Sequence, residues 1–292
     1  MLVRSSFYEA SARSRVRQFL DSESFKEYCA PQARIVSPHL ESLGVSPSFD
    51  DGVVVGEGEL FGEAILIAAQ EGGFMGGAVG EVHGAKILGL LHRAAVNKPS
   101  AVVLMLDTGG VRLHEANAGL IAVGEIQRAI LELRYLGIPS IAIVGGRNGC
   151  YGGMSIAVQC CDWIIANEEG RISISGPEVI EAVEGVEEFD SQDRGLIWRT
   201  MGAKHRTLLG DVDLLAEDDF EDLKEAVASF LNRHKEFSLN ALKDENSILK
   251  KRLEEYSSCK DGYEVWEKMG IKDYQIIPEI EVNDFNKIIK YR

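Results

Sequence analysis

Two short glycine turns are the parts of this sequence best suited to chemistry. Asp107-Thr108-Gly109-Gly110-Val111-Arg112 follows one apolar run, and Gly149-Cys150-Tyr151-Gly152-Gly153-Met154-Ser155 follows another. Glycine admits positive φ and lets the main chain approach a ligand closely, and the first amides of a helix are free to donate to an anion. Two such amides can converge on one oxygen and hold the charge that develops there. Either turn alone would also serve as an ordinary strand-to-helix junction. Neither spells GxGxxG, no GxxxxGK[ST] run occurs, and Ser155 does not sit in GxSxG. Nucleotide-cradle and serine-hydrolase chemistries therefore find no support.

The elements around the turns repeat a pattern. Ala101 to Leu106 and Ile141 to Val144 are apolar throughout, as strands covered on both faces require. A helix is predicted from about Glu81 to Ala95. Leu120, Val123, Ile126, Ile130 and Leu133 share one face of another, which Gly137-Ile138-Pro139 ends. Strand, glycine turn and helix thus occur twice, which predicts an α/β domain with crossover connections and functional loops at strand ends. Ahead of this, Val53–Val55 and Ala64–Ala69 read as a hairpin around Gly58 to Gly62. Residues 1–50 read as a helical segment and a loop, with breaks at Ser37-Pro38 and Val45-Ser46-Pro47-Ser48. The expected core is 51–235. Residues 236–292 form a charged, mainly helical appendage, in which Leu242, Leu249 and Leu253 suit a heptad but are read as an ordinary packing face.

Composition narrows the function classes. A net charge of −15 argues against a nucleic-acid partner, because phosphate backbones are bound by clustered Lys and Arg. The five cysteines form no CxxC pair, so neither a disulfide framework nor a zinc site is expected. No run of about 18 apolar residues occurs, so no membrane span is expected, and the chain reads as cytoplasmic.

Four motifs stand in order along the chain: Gly-Gly-Phe-Met-Gly-Gly from Gly72, Asp-Thr-Gly-Gly-Val-Arg-Leu-His-Glu-Ala from Asp107, Cys-Tyr-Gly-Gly-Met-Ser from Cys150 and Ser-Gly-Pro-Glu-Val-Ile-Glu from Ser175. Together they resemble the N-terminal half of the acyl-CoA carboxyltransferase family. The run Gly185 to Arg194 with Ile197-Trp198 is similar to the beta subunits of biotin-independent malonate decarboxylases in particular. The resemblance covers most of residues 1–235. The four-cysteine zinc ribbon of the bacterial acetyl-CoA carboxylase beta subunit is missing.

The resemblance implies a crotonase-like superhelix of ββα units and decarboxylation of a malonyl thioester. An oxyanion hole would be drawn from Gly109, Gly110 or Val111 on one turn and from Gly152 or Gly153 on the other. Each such donor is typically worth about 3–4 kcal/mol to the transition state, so no metal or organic cofactor is called for. His83, His114 and Tyr151 are the candidates to return the proton, with Glu81 and Glu115 behind them. Lys86 and Arg112 are candidates to meet a phosphate or the malonyl carboxylate. Gly73, Gly76 and Gly77 are candidate lining for a pantetheine arm. The substrate carrier would be an acyl carrier protein with its CoA-like phosphopantetheine arm, or CoA, and the partner a gamma-type subunit of the same fold. Ser175-Gly176-Pro177 reads as a helix start. The alternatives are a carboxyltransferase beta-type subunit of a biotin-dependent acyl-CoA carboxylase, a noncatalytic docking subunit, and a crotonase-type hydratase or isomerase.

Overall fold

In the computed structural model, which describes residues 5–44, 51–115 and 117–290, chain reversals and apolar runs organise one seven-stranded sheet. The expected break at 45–48 lies outside the described residues. Helix α1 (Ala12–Phe19), capped by Ser11, precedes a short strand β1 (Lys26–Tyr28). β1 pairs antiparallel with β2 (Val53–Leu60), which reverses into β3 (Glu63–Gln70). The reversal takes only Phe61 and Gly62, both at positive φ (53° and 78°), as a two-residue hairpin turn demands. The turn is thus tighter than the sequence suggests. Gly58 lies inside β2, where Leu20 packs against its Cα.

From β3 onward the strands run parallel and in sequence order: β4 (Ala101–Leu106), β5 (Ser140–Val144), β6 (Trp163–Asn167) and β7 (Leu214–Ala216). Helices α2 (Glu81–Asn97), α3 (Ala118–Tyr135) and α4 (Gly153–Cys160) carry the first three crossovers. Between β6 and β7 come α5 (Pro177–Glu184), α6 (Arg194–Met201) and α7 (Ala203–Leu209), and α8 (Phe220–Ala228) follows β7. Every residue of β4 and β5 is buried because both sheet faces are covered. Val102, Leu104 and Leu106 meet α2, α3 and α4, whereas Ala101, Val103 and Met105 meet α1 and α8. Three layers result.

Beyond the strand ends a second, sparse row of pairings forms. Val79 bridges Val111, Thr108 bridges Cys150, and Cys150 bridges Ile172, all parallel. Each repeat is therefore a main-sheet strand, a bridging residue in the second row, and a helix. This is the ββα superhelix of the crotonase type that the motifs lead one to expect.

The C-terminal region divides. Helix α9 (Leu239–Tyr256) buries no residue. Helix α10 (Gly262–Lys268), the turn Tyr274–Glu279 and α11 (Val282–Lys290) instead join the main core through Val265, Trp266, Ile277, Val282 and Phe285. Asn286 donates to the Leu215 carbonyl of the edge strand β7 (2.9 Å). Val282, Phe285 and Ile289 recur at helical spacing and mark one apolar face of α11, but the surface that face packs on is made only by the fold. Asp261 caps α10 and also takes a bidentate ion pair from Arg199. The Trp266 indole donates to Nδ1 of His205 (3.1 Å), and burial pushes the His205 imidazolium down to about 3.

Two expectations follow. Arg15 and Asp107 form an ion pair at 2.9 Å with side chains 2% and 4% exposed. Arg15→Met strands a buried carboxylate and should cost about 3–5 kcal/mol in urea unfolding; a loss below 1 kcal/mol would contradict the assignment. His205 stays neutral when folded but binds a proton when unfolded. Its stabilisation is present above pH 6.5 and is lost as pH falls towards 3. In that window His205→Asn should flatten the stability slope by up to about 1.4 kcal/mol per pH unit. An unchanged slope would show that His205 is not buried neutral.

Candidate active site

The two glycine turns meet main chain to main chain. A Cβ on Gly152 would stand 3.0 Å from Gly110 Cα and 3.9 Å from the Val111 nitrogen. Gly152 has φ 64° and ψ −146°, a region open essentially to glycine, and Gly110 has φ 124°. A side chain is disfavoured at Gly152 by both contact and conformation, and at Gly110 by conformation.

The amides of the turns can be sorted by what they already bind. Gly109 N–H donates to Gly76 O (2.8 Å), Gly110 N–H to Thr108 Oγ1 (3.1 Å) and Gly152 N–H to Ile174 O (2.9 Å). Val111 N–H and Gly153 N–H find no acceptor among the described residues. They flank the Gly110–Gly152 contact, and Gly153 is the first residue of α4. Of the five positions expected to supply donors, these two remain available. Gly153 must be small for packing as well, since a Cβ there would meet Val123 Cγ1 at 2.6 Å.

The Gly72–Gly80 loop lies beside the first turn. Gly76 supplies the carbonyl that fixes Gly109, and Val79 exchanges hydrogen bonds with Gly110 O and Arg112 N–H (both 2.9 Å). Gly77 is pressed onto β4, where an added Cβ would stand 1.8 Å from Asp107 O. Gly73 N–H turns back to Glu71 (3.1 Å).

The expected proton donors part company. His83 is fully buried, with Nδ1 at 3.1 Å from the Asp51 carbonyl and Nε2 at 3.1 Å from Gln70 Nε2. Burial lowers its pKa to about 3, so it is a neutral core residue with both nitrogens taken. Tyr151 packs against Phe189, Ile197 and Met201. Its enclosed hydroxyl has no partner among the described residues, and burial raises its pKa. His114 is exposed on the turn Leu113–Glu115. Glu81 pairs through its side chain with His39 (3.1 Å).

The expected anion-binding residues face inward. Arg112 is buried and donates to Glu115 (2.9 Å), Asp51 O (3.1 Å) and Ala78 O (3.0 Å). Lys86 donates to Val53 O (2.6 Å) and Asp51 (3.3 Å), its side chain 7% exposed. Glu115 accepts the first amide of α2, from Glu81, at 2.6 Å. Burial opposes its ionisation, but this bond and Arg112 outweigh burial and hold its carboxyl below the usual range. Arg112 and Lys86 thus brace the start of α2 rather than reach for a ligand. Cations on buried carbonyls and carboxylates are worth more to the fold than to solvent.

Asn148 was not singled out from sequence, and Asp107 and Thr108 entered only as part of the first turn. Asp107 accepts from Arg15 and from Asn148 N–H (2.8 Å), and Asn148 Nδ2 holds Gly72 O (3.0 Å). A charged residue closing an all-apolar strand was a usable signal, since a buried carboxylate needs partners. The hollows at Trp198–Trp266, at Arg13–Phe25 and at Tyr28–Leu90 are lined by no residue of the glycine turns. Exposed apolar side chains lie on neighbouring elements: Leu120 and Ile121 on α3, Ile156 on α4, Ile174 after β6, and Val179 and Val183 on α5. Among the described residues no cluster of three or more His, Cys, Asp or Glu could hold a metal, and no helix is long and apolar enough to cross a membrane.

The chain is similar to known proteins in sequence and fold. The family model for the carboxyl transferase domain matches residues 9–261. The malonyl-S-ACP:biotin-protein carboxyltransferase MADC of Malonomonas rubra is 36% identical over 96% of this chain and 94% of its own length. The methylmalonyl-CoA carboxyltransferase 12S subunit of Propionibacterium freudenreichii is 31% identical over 76% of this chain and 40% of its own. Among solved structures, a chain of a Pseudomonas malonate decarboxylase hetero-tetramer in complex with malonate aligns with a TM-score of 0.83 at 40% identity. It covers 91% of this chain and 98% of that one. A chain of the Pseudomonas MdcD-MdcE hetero-dimer aligns with a TM-score of 0.68 at 36% identity, covering 85% and 96%. The chain described here belongs to the carboxyl transferase family, as a malonate decarboxylase-like enzyme within it.

Proposed function

We propose that this chain is a beta-type subunit that removes carbon dioxide from a malonyl thioester carried on an acyl carrier protein, or on CoA. The observation that carries the reading is the pair of unengaged amides, Val111 and Gly153, on turns that touch. When the bond between the α-carbon and the carboxylate breaks, its electron pair moves onto the thioester oxygen and carbon dioxide leaves. The two amides donate to that oxygen, where the enolate charge appears, in a geometry the main chain has already fixed. The α-carbon then takes a proton and the acetyl thioester departs. Of the three candidate donors, His114 is the exposed one. Glycines 73, 76 and 77 give an extended pantetheine arm a path close to the main chain.

The relative from Malonomonas rubra favours a second reading, in which the carboxyl group passes to a biotin protein. Enolate formation is common to both, and only the fate of carbon dioxide differs. The exposed apolar side chains of α3, α4 and α5 support a second subunit of the same fold packing beside the site, as hetero-oligomers are found among the structural relatives.

Gly153→Pro removes the amide at a helix position that tolerates proline. Made with Val123→Ala to relieve the contact, it should lower kcat for carbon dioxide release from malonyl-acyl carrier protein about 10²–10³-fold. Gly153→Ala in the same background keeps the amide and should retain most activity; equal loss in both would sink the oxyanion role. The assay uses the chain copurified with its partner subunit. Release without biotin supports decarboxylation, and release only with a biotin protein supports transfer. Val183→Asp, exposed on α5, should weaken binding of that partner at least tenfold in titration while leaving the unfolding midpoint unchanged. Undiminished binding would remove this face from the interface.

A further inference from the structure

Each of the two unengaged amides shares a peptide unit with a carbonyl, and a hydroxyl holds each of those carbonyls. Val111 N–H belongs to the unit that starts at Gly110 C=O, and Gly153 N–H to the unit that starts at Gly152 C=O. Thr108 Oγ1 donates to Gly110 O (3.2 Å), beside the Val79 amide (2.9 Å). Ser155 Oγ donates to Gly152 O (2.7 Å), beside its own amide (3.1 Å). Among the described residues no other carbonyl of either turn receives a hydroxyl. A trans peptide holds its N–H and C=O antiparallel in one plane, so a donor on the carbonyl fixes the direction of the amide behind it. It also polarises the unit and makes that N–H the stronger donor, as linked hydrogen bonds do.

Both hydroxyls act from inside the protein. Thr108 is fully buried and Ser155 is 3% exposed, so neither bond competes with bulk water. The same Thr108 oxygen accepts the Gly110 amide (3.1 Å), which keeps that amide from competing with Val111. The Thr108 main chain meanwhile ties the second turn: its N–H donates to Gly149 O (2.8 Å) and its carbonyl accepts from Tyr151 N–H (3.0 Å). A helical serine often bonds a carbonyl one turn back. Here that carbonyl is the one joined to the unengaged amide, and the first turn, which is not helical, reaches the same arrangement with a threonine.

We infer that Thr108 and Ser155 are positioning residues that aim and polarise the Val111 and Gly153 amides. The assignment rests on the reading that those amides receive the thioester oxygen. Each hydroxyl acts through one peptide unit, so its effect belongs to the transition state, where charge reaches that oxygen, and not to substrate binding.

The test is steady-state carbon dioxide release from malonyl-acyl carrier protein by the full chain copurified with its partner subunit. Ser155→Ala and Thr108→Val should each lower kcat about five- to tenfold, the worth of one orienting hydrogen bond, with KM held within about twofold. Thr108→Ser keeps the hydroxyl and should restore most of kcat. In the Gly153→Pro, Val123→Ala chain the amide that Ser155 serves is gone, so adding Ser155→Ala should cost no more than about twofold further. A structural disturbance would instead cost the same in both backgrounds. Unchanged kcat in either single variant overturns the assignment, as does a full Ser155→Ala loss in the proline background, or a Thr108→Ser chain as slow as Thr108→Val. If Thr108→Val does not fold, the Ser155 cycle and Thr108→Ser decide. Failure of the underlying reading looks different: Gly153→Pro would then be as active as Gly153→Ala, and the assignment would fall with it.

Discussion

The buried carboxylate of Asp107 organises the ground on which the glycine turns stand. It ends β4 within one residue of the first turn, and its charge cannot be left unanswered in that environment. Arg15 supplies the counter-charge from α1, and Asn148 supplies an amide from the loop after β5. A Cβ on Gly146 would stand 2.1 Å from Asp107 Cγ, so that loop can come no nearer and carry no side chain there. Three stretches distant in sequence are thereby fastened at one atom group. Buried pairs of this kind contribute little net stability compared with apolar replacements, but breaking one partner is costly, so the register of these segments is enforced.

A second polar knot holds the entrance to α2. Glu115 caps the helix, Arg112 ties Glu115 to the carbonyls of Asp51 and Ala78, and His83 joins Asp51 to Gln70. Gln70 in turn accepts the Asp107 amide (3.3 Å). The ionisable residues nearest the turns are therefore largely consumed in holding main chain. Burial keeps the histidine neutral, whereas the Glu81 amide and Arg112 keep the carboxylate ionised against the cost of burial.

The alternation of all-apolar runs and glycine turns made the centre of the fold legible, because β4 and β5 bury every residue and leave no ambiguity of face. Helices α2 and α3 begin and end within a few residues of expectation, although Leu120, placed on the buried stripe by spacing, is exposed. Short strands β1 and β7 carry too few residues to show a period. The packing of Trp266, Val282 and Phe285 depends on surfaces made by α7 and β7, which a linear reading does not contain. At the site, the turns themselves were legible and the individual amides were not. Which donor is free depends on Thr108, Ile174 and Gly76, each brought in by the tertiary fold. The same limit explains Lys86 and Arg112: type and position suggested a ligand, while burial turned both towards the protein's own carbonyls.

The contact between Gly110 and Gly152 involves backbone alone, and its available donors are backbone amides. Substitution at neighbouring positions changes side chains but cannot delete such groups, short of proline. These two amides are consequently furnished by the loop trajectory rather than by any residue's functional group. Side chains around the junction can therefore change in size or charge without removing either donor.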